Sequence, residues 1–448
     1  MSTVLELNET AQRVLCQAAQ DAERTSGFVQ RRSKLTGETF VQTLVFGFLD
    51  PSVPTLADLA QTAAALGVEI TPQGLDQRFT REAADFLGDV LQRAIEQVVC
   101  ADLSANDRVS FLNLLDRFKS VVVLDATQVT LPAVLAEVWR GRGGAVSTDR
   151  TESSVKLSVG WDLLSGRLRG PELMDGREHD SNAILSVAPQ PEGSLRITDL
   201  GYFRLSVWAG LSERGAYWLS RFHTKTGFSD ETGRTWMLDE FLAGQAEVRL
   251  DVPIFLGLTD RLPCRLVAVR VPPAVAETRR RRLRERAKGR GQTPSHKELA
   301  LCDWTVYVTN VPPELLSIEE VLVLGRIRWQ IELLFKLWKS ELQIDEWRTK
   351  QPWRILCEVY AKLIGALLVH WIEIVVAWDL PGRSLFKVAR TIRRFALELA
   401  GALTDPRAFS SVLDRIRRCV RTGCRLDKRR KHPSSYQLLS HFNSPSLA

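Results

Sequence analysis

Apolar residues in the first quarter of the chain recur at helical spacing, which predicts helices near 5–25, 36–49, 55–66 and 82–100. After the third of these, Gly67 makes a turn and Thr71-Pro72 opens a further helix, giving a helix–turn–helix outline. The pattern changes near residue 115. Ser120-Val-Val-Val-Leu-Asp125 reads as a buried strand that ends on its aspartate, and 155–164 with 167–173 reads as a hairpin. A short helix over 182–188 leads to the strand Ser194-Leu-Arg-Ile-Thr-Asp199, which also stops on an aspartate. A helical piece over 203–213 and a strand over 216–222 follow. Three strands, helix, strand, helix, strand is the order of a mixed α/β core, not of a sandwich or a helical array.

Residues 223–303 interrupt that core with strand-like runs at 246–251 and 264–271 and a basic run at 279–290. The strand Trp304-Thr-Val-Tyr-Val-Thr-Asn310 resumes it, and Pro312-Pro313 precedes an amphipathic helix over 325–339. At about 100° per residue, Arg328, Glu332, Lys336 and Lys339 fall within roughly 80° of one another on that helix. The remainder, 341–448, reads as helical and carries a basic segment over 415–431. Five regions follow: a helical DNA-binding region over 1–115, a core over 116–222, a β-rich insertion over 223–303, a second core part over 304–350 and a helical C-terminal region over 351–448. The most apolar stretch, 355–378, holds Glu358, Lys362, His370 and Glu373, which suits a buried helix better than a membrane span.

Charge narrows the class of partner. The 448 residues carry a formal net charge of +7, which favours a polyanion, nucleic acid before membrane surface. Seven cysteines, at 16, 100, 264, 302, 357, 419 and 424, form no CxxC pair, so reduced thiols are expected and a structural zinc site is not. The opening MSTVLELNET lacks a basic segment followed by an apolar core, so no secretory signal is expected and a cytoplasmic location is.

Asp125, Asp199 and Glu332 are the candidate chemistry. A carboxylate at the C-terminal end of a strand in an α/β fold faces a crevice. Three converging carboxylates repel unless they share cations, and a small set of hard oxygen donors suits two Mg²⁺ or Mn²⁺ ions that also bind phosphate. Taken singly, each has a plainer reading. An Asp after a strand often caps a turn, and a Glu between Arg and Lys is usually a solvated ion-pair face.

Together these residues resemble a bacterial DDE transposase of the insertion-sequence-four group. That group's last motif is Tyr-x2-Arg-x3-Glu-x6-Lys, matched here by Arg328, Glu332 and Lys339, with Gly325 where the Tyr would stand. Leu-Asp125-Ala-Thr127 is similar to its first motif and Asp199-Leu-Gly201-Tyr202-Phe203 to its second; Gly215-Ala-Tyr-Trp-Leu-Ser-Arg221 and Thr309-Asn310-Val-Pro are further echoes. The resemblance covers about 35–350. It implies a ribonuclease-H-like mixed-sheet core with a β-rich insertion between helical termini. It further implies Asp125, Asp199 and Glu332 as catalytic ligands of two metal ions, with Arg328, Lys336 and Lys339 on DNA phosphates. Tyr202 and Trp236 become candidate DNA contacts, Trp236 with core packing as its plainer role. The basic runs become candidate backbone tracks. The implied partners are double-stranded DNA, as terminal inverted repeats and target, and a second copy of the chain in the synaptic complex. The implied activity is cut-and-paste transposition. A catalytically silent DNA-binding derivative, or a nuclease without strand transfer, stands as the alternative, and the missing Tyr as the point of departure.

Overall fold

The computed structural model describes residues 4–29, 34–50, 53–101, 113–141, 152–380, 382–427 and 437–439; Arg31, Arg32 and the basic stretch 428–431 lie outside them. The chain forms two compact units. One comprises Met1–Ser110, Ala126–Glu178 and Ile331–Tyr436, the other Phe111–Asp125, His179–Gln330 and Gln437–Ala448.

The first unit opens with α1 (Val4–Gln12), which runs through a π-helical segment, Arg13–Ala18, into α2 (Ala19–Thr25). Threonines start the next four helices. Capping boxes at Thr36/Thr39 and Thr55/Asp58 open α3 (Gly37–Leu49) and α4 (Leu56–Ala65), and Thr71 and Thr80 cap α5 (Pro72–Asp76) and α6 (Arg81–Ile95). Each such cap satisfies an orphan amide and is worth about 1 kcal/mol. The expected helix–turn–helix outline is present, with Gly67 at φ +84° between α4 and α5. Its second helix is only five residues long. The chain turns at Gln77–Arg78 so that Phe79 can bury against Phe40, ring centroids 5.8 Å apart, before Thr80 starts α6.

Strand β1 (Val121–Leu131) is longer than the sequence implied. Asp125 does not end it, because Val129 and Leu131 are again buried and carry the alternation six residues further. In the first unit, β2 (Ser153–Asp162) and β3 (Leu168–Asp175) form the expected antiparallel hairpin.

In the second unit, α7 (Ile184–Val187), β4 (Leu195–Thr198), α8 (Leu205–Glu213) and β5 (Tyr217–Arg221) follow in the expected order. The first residues of β1 pair in parallel with β4, and β4 in parallel with β5. The insertion contributes β6 (Phe228–Ser229), β7 (Thr235–Trp236), α9 (Leu238–Ala243), β8 (Arg249–Leu256), β9 (Leu262–Arg270), α10 (Pro273–Lys288) and α11 (His296–Leu301). Then comes β10 (Trp304–Thr309), antiparallel both to β5 and to β9, so the insertion's strands extend the core sheet. Under this sheet Trp208 stacks on Trp218 at 4.5 Å among Phe222, Phe228 and Leu266. Asn310 fastens the layer: its Oδ1 accepts from the Trp218 amide at 2.8 Å and its Nδ2 donates to Ser212 Oγ and Ala216 O, both at 3.0 Å.

The helix expected over 325–339 is two helices, α12 (Ile318–Ile327) and α13 (Gln330–Ser340). Arg328 caps the first, and the Trp329 amide turns back to Arg326 O instead of continuing the α ladder. The charged stripe is therefore divided, with Arg328 on one side of the turn and Glu332, Lys336 and Lys339 on the other.

In the first unit, α14 (Pro352–Ala377) is long and apolar enough to cross a membrane, yet 94% of its apolar window is buried inside the protein. Its charges are matched inside that unit. Glu358 lies between Arg354, at 3.3 Å, and Lys362, at 3.8 Å, and His370 shares a hydrogen bond of 2.7 Å with Gly166 O. Helices α15 (Leu385–Arg393), α16 (Ala396–Ala402) and α17 (Pro406–Gly423) complete the unit. Glu341 receives the forked guanidinium of Arg390 at 2.7 and 2.6 Å.

Candidate active site

The register of β1 on β4 brings the two aspartates together. Val121 faces Leu195, and the pairing continues to Leu124 opposite Thr198, so Asp125 and Asp199 are the next positions on neighbouring parallel strands. Adjacent strands lie about 4.8 Å apart and in-register side chains share a face, so the register sets both half-buried aspartates on one face of the sheet. Two such charges repel, and each has a local counterweight. Arg328 Nη1 donates to Asp125 Oδ2 at 2.8 Å, with both side chains largely buried. Asp199 Oδ1 accepts from the Gly201 amide at 2.8 Å, as a residue closing a strand into a 3₁₀ turn does.

Helix α12 delivers Arg328, and its start is secured from two directions. Ser317 and Glu320 form a capping box, and Arg117, just ahead of β1, grips Glu320 with both guanidinium nitrogens at 2.9 and 2.7 Å. Burial works to raise the Glu320 pKa, but the hydrogen bond from Arg117, the Ser317 amide and the charge of Arg117 outweigh it and hold the carboxyl below its ordinary range.

Gly325 sits one turn before Arg328 on the same helix. A Cβ there would stand 2.6 Å from Tyr307 Oη and closer still to the ring, so the phenol of β10 fills the space into which a side chain at 325 would begin. Any larger residue has to displace Tyr307. Gly201 is constrained in the same way: its Cβ would meet Asp180 Oδ2 at 2.9 Å and Asp199 Oδ1 at 3.1 Å. Asp180, beside the second aspartate, is a residue that the sequence pattern did not single out.

In the first unit, Glu332 lies in the opening turn of α13, half-buried, and Lys336 is exposed one turn on. Lys339 Nζ donates to Gln128 O of β1 at 2.8 Å, with Asp345 at 4.0 Å. Among the described residues, no three His, Cys, Asp or Glu side chains form a ready metal cage. In the second unit, Tyr202 is buried in the turn after Asp199. Trp236 is half-buried against Phe241, donates its indole N–H to Asp230 at 3.0 Å and carries Arg234 3.8 Å over its ring. Its partners are those of a packed residue.

Residues 116–368 match the family model described as the transposase DDE domain. The transposase of insertion sequence element IS231F from Bacillus thuringiensis subsp. israelensis is 28% identical over 372 residues, 78% of this chain and 76% of that one. The transposase of IS1151 from Clostridium perfringens is 23% identical over 77% of this chain and 75% of its own. A putative transposase, InsL of IS186A from Escherichia coli K12, is 26% identical over 59% of this chain and 69% of its own. With its α/β core, its aspartates in adjacent register on β1 and just after β4, and a family match across more than half its length, the chain belongs to the DDE transposases of bacterial insertion sequences.

Proposed function

We propose that the chain moves its own element by cut and paste, cleaving the terminal inverted repeats and joining the freed 3′ ends to target DNA, with Asp125, Asp199 and Glu332 as the catalytic carboxylates. The observation that carries this reading is the adjacent register of Asp125 and Asp199 on β1 and β4. Oxygen donors alone, with a carboxylate pair on one face of the sheet, fit a hard divalent cation. Asp125 and Asp199 would hold two Mg²⁺ or Mn²⁺ ions, with Glu332 of α13 as the third ligand. Bound there, they would supply the charge that activates a water or 3′-hydroxyl and eases departure of the leaving oxygen.

The chain's own groups do the rest. Arg328 neutralises Asp125 and brings a planar fork suited to a phosphate oxygen. Lys336 is exposed and Lys339 is fixed on a β1 carbonyl, which suits them to flanking phosphates. Tyr202, being buried, supports the turn that carries Asp199, and Trp236 shapes the insertion beside the DNA. We assign the helices of 1–115 to binding the element's ends, 116–222 and 304–350 to catalysis, 223–303 to DNA contacts of the insertion, and 351–448 to support of the core and pairing of two protomers. The reaction belongs in the cytoplasm, at the nucleoid, where the element's DNA is.

The test uses a duplex carrying the inverted repeats that flank the gene. Purified chain with Mg²⁺ should nick at the repeat boundary and join the released 3′ end to a second duplex. Specific binding without nicking in either Mg²⁺ or Mn²⁺ would make the chain a binder only.

A further inference from the structure

Helix α10 carries seven basic residues from Arg279 to Lys288, and they divide into two unlike faces. Glu277 pairs with Arg280 and Arg284, Glu285 with Arg281, and Asp303 with Arg280, so one side of the helix is a mesh of opposite charges. Arg279, Arg282 and Arg286 stand at i, i+3 and i+7, within about 60° of arc on the other side. Among the described residues, no carboxylate pairs with any of these three or with Arg221.

That second face borders an open cleft, with Arg279 half-buried and Arg282 and Arg286 exposed. With Arg221 at the end of β5 it lines a cavity of about 460 Å³, floored by Trp304 and Leu301. Arg279 is fixed in its wall, donating to Trp304 O at 2.8 Å and to Thr305 Oγ1 at 2.9 Å, so its guanidinium is held in place before any ligand arrives. The single acid in the lining, Glu298, is engaged by the Ser295 amide at 2.8 Å and hydroxyl at 3.0 Å in the capping box of α11. Burial and then the like charge of Arg221 depress the Arg279 pKa, as expected for guanidiniums that converge without a counterion. Four cations around one cleft, with neighbouring carboxylates turned to the opposite face, leave an anion-shaped deficit.

We propose that Arg221, Arg279, Arg282 and Arg286 form a cleft for the sugar–phosphate backbone of double-stranded DNA, read without regard to base sequence. The stripe from Arg279 to Arg286 is about 10 Å long, the axial length of roughly three nucleotides of one strand. The cleft spans the insertion and the end of β5, where Arg221 is the next position beside Asp199 on neighbouring parallel strands, so DNA held there lies next to the proposed cut. This deepens the transposase reading and rests on it.

The experiment measures full-length chain on a fluorescein-labelled 30-base-pair duplex of random sequence by anisotropy, across a series of salt concentrations. Arg282→Gln/Arg286→Gln should weaken binding about tenfold at low salt and flatten the slope of log K against log salt by about 2, since each lost phosphate contact removes about 0.9. Arg281→Gln/Arg284→Gln, on the ion-paired face, should keep the wild-type slope, and thermal melts should show both variants folded. Arg221→Gln gives an independent reading from the sheet side, with a slope change of about 1. An unchanged slope in Arg282→Gln/Arg286→Gln, or an equal loss from both faces, overturns the cleft. Tighter binding of the wild type to anionic lipid vesicles than to DNA, abolished by the same pair, overturns DNA as its occupant. Repeat cleavage by the wild type alongside either result would leave the transposase reading standing, so the two failures are distinguishable.

Discussion

Arg328 and Asp125, 203 residues apart in sequence, meet through a hydrogen bond of 2.8 Å where β1 and β4 run side by side. The pair joins the turn after α12 to the strand that carries the first candidate ligand. Arg328→Ala leaves a largely buried carboxylate without this partner and removes the phosphate fork, and cleavage should fall by about 10². Arg328→Lys should recover only part, because an ammonium keeps the charge and loses the fork. Initial rates on a repeat-end duplex check both. Equal rates for Arg328→Ala and the wild type would remove Arg328 from the chemistry.

Gly325 occupies the position where the related motif has Tyr, and restoring that Tyr looks at first like a repair. The structure reverses the expectation, since Tyr307 already fills the space. Gly325→Tyr should cost about 2 kcal/mol in urea unfolding through overpacking, with activity reduced. Gly325→Tyr/Tyr307→Ala should recover part of that loss, because the two sites are in contact and their effects do not add. A Gly325→Tyr chain as stable as the wild type would show that the phenol yields freely.

Two glycines make a matched pair. Gly201→Ala pushes a methyl against Asp180 and Asp199 and should lower cleavage at least about tenfold by displacing the second aspartate. Gly210, inside α8, has open space around its Cβ position, so Gly210→Ala should leave cleavage alone and raise stability by about 0.5–1 kcal/mol. Rates and melting curves of the two variants, measured together, separate a site effect from a general one.

The grip of Arg117 on Glu320 predicts a pH dependence. Because the folded carboxyl lies below its ordinary value, its stabilising contribution is full above the unfolded pKa and is lost as pH falls through the folded one. Arg117→Ala should destabilise by about 1–2 kcal/mol near neutral pH, and the difference from wild type should shrink in acid. Urea midpoints at pH 7 and pH 3 measure it. A constant difference across that range would mean that Glu320 is not the group involved.

What the sequence disclosed, and what it hid, follows from the range of the interactions. Asp199 was readable as a strand end because the apolar run stops there and the turn begins within two residues. Asp125 was misread because the polar Asp-Ala-Thr-Gln segment looks like an exit, while Val129 and Leu131 resume the strand beyond it. The division between α12 and α13 was hidden, since apolar spacing continues through a turn made by the Trp329 amide alone. The two faces of α10 were implicit in its i, i+3, i+7 spacing. Which face meets β10 depends on Arg279 reaching Trp304 O across the fold. Likewise, nothing near Gly325 in sequence announces that Tyr307 will fill its space.

The most direct measurement is cleavage of a repeat-end duplex by wild type, Asp125→Asn and Asp199→Asn, with Mg²⁺ and with the metal chelated. The exchange of carboxylate for amide keeps shape and removes the charge that a metal needs. Wild type should cut only with metal, and both variants should lose at least about 10³ in rate while binding the same duplex with near wild-type affinity. Metal-dependent cutting by either variant at the wild-type rate would contradict the assignment of these two aspartates as the catalytic pair.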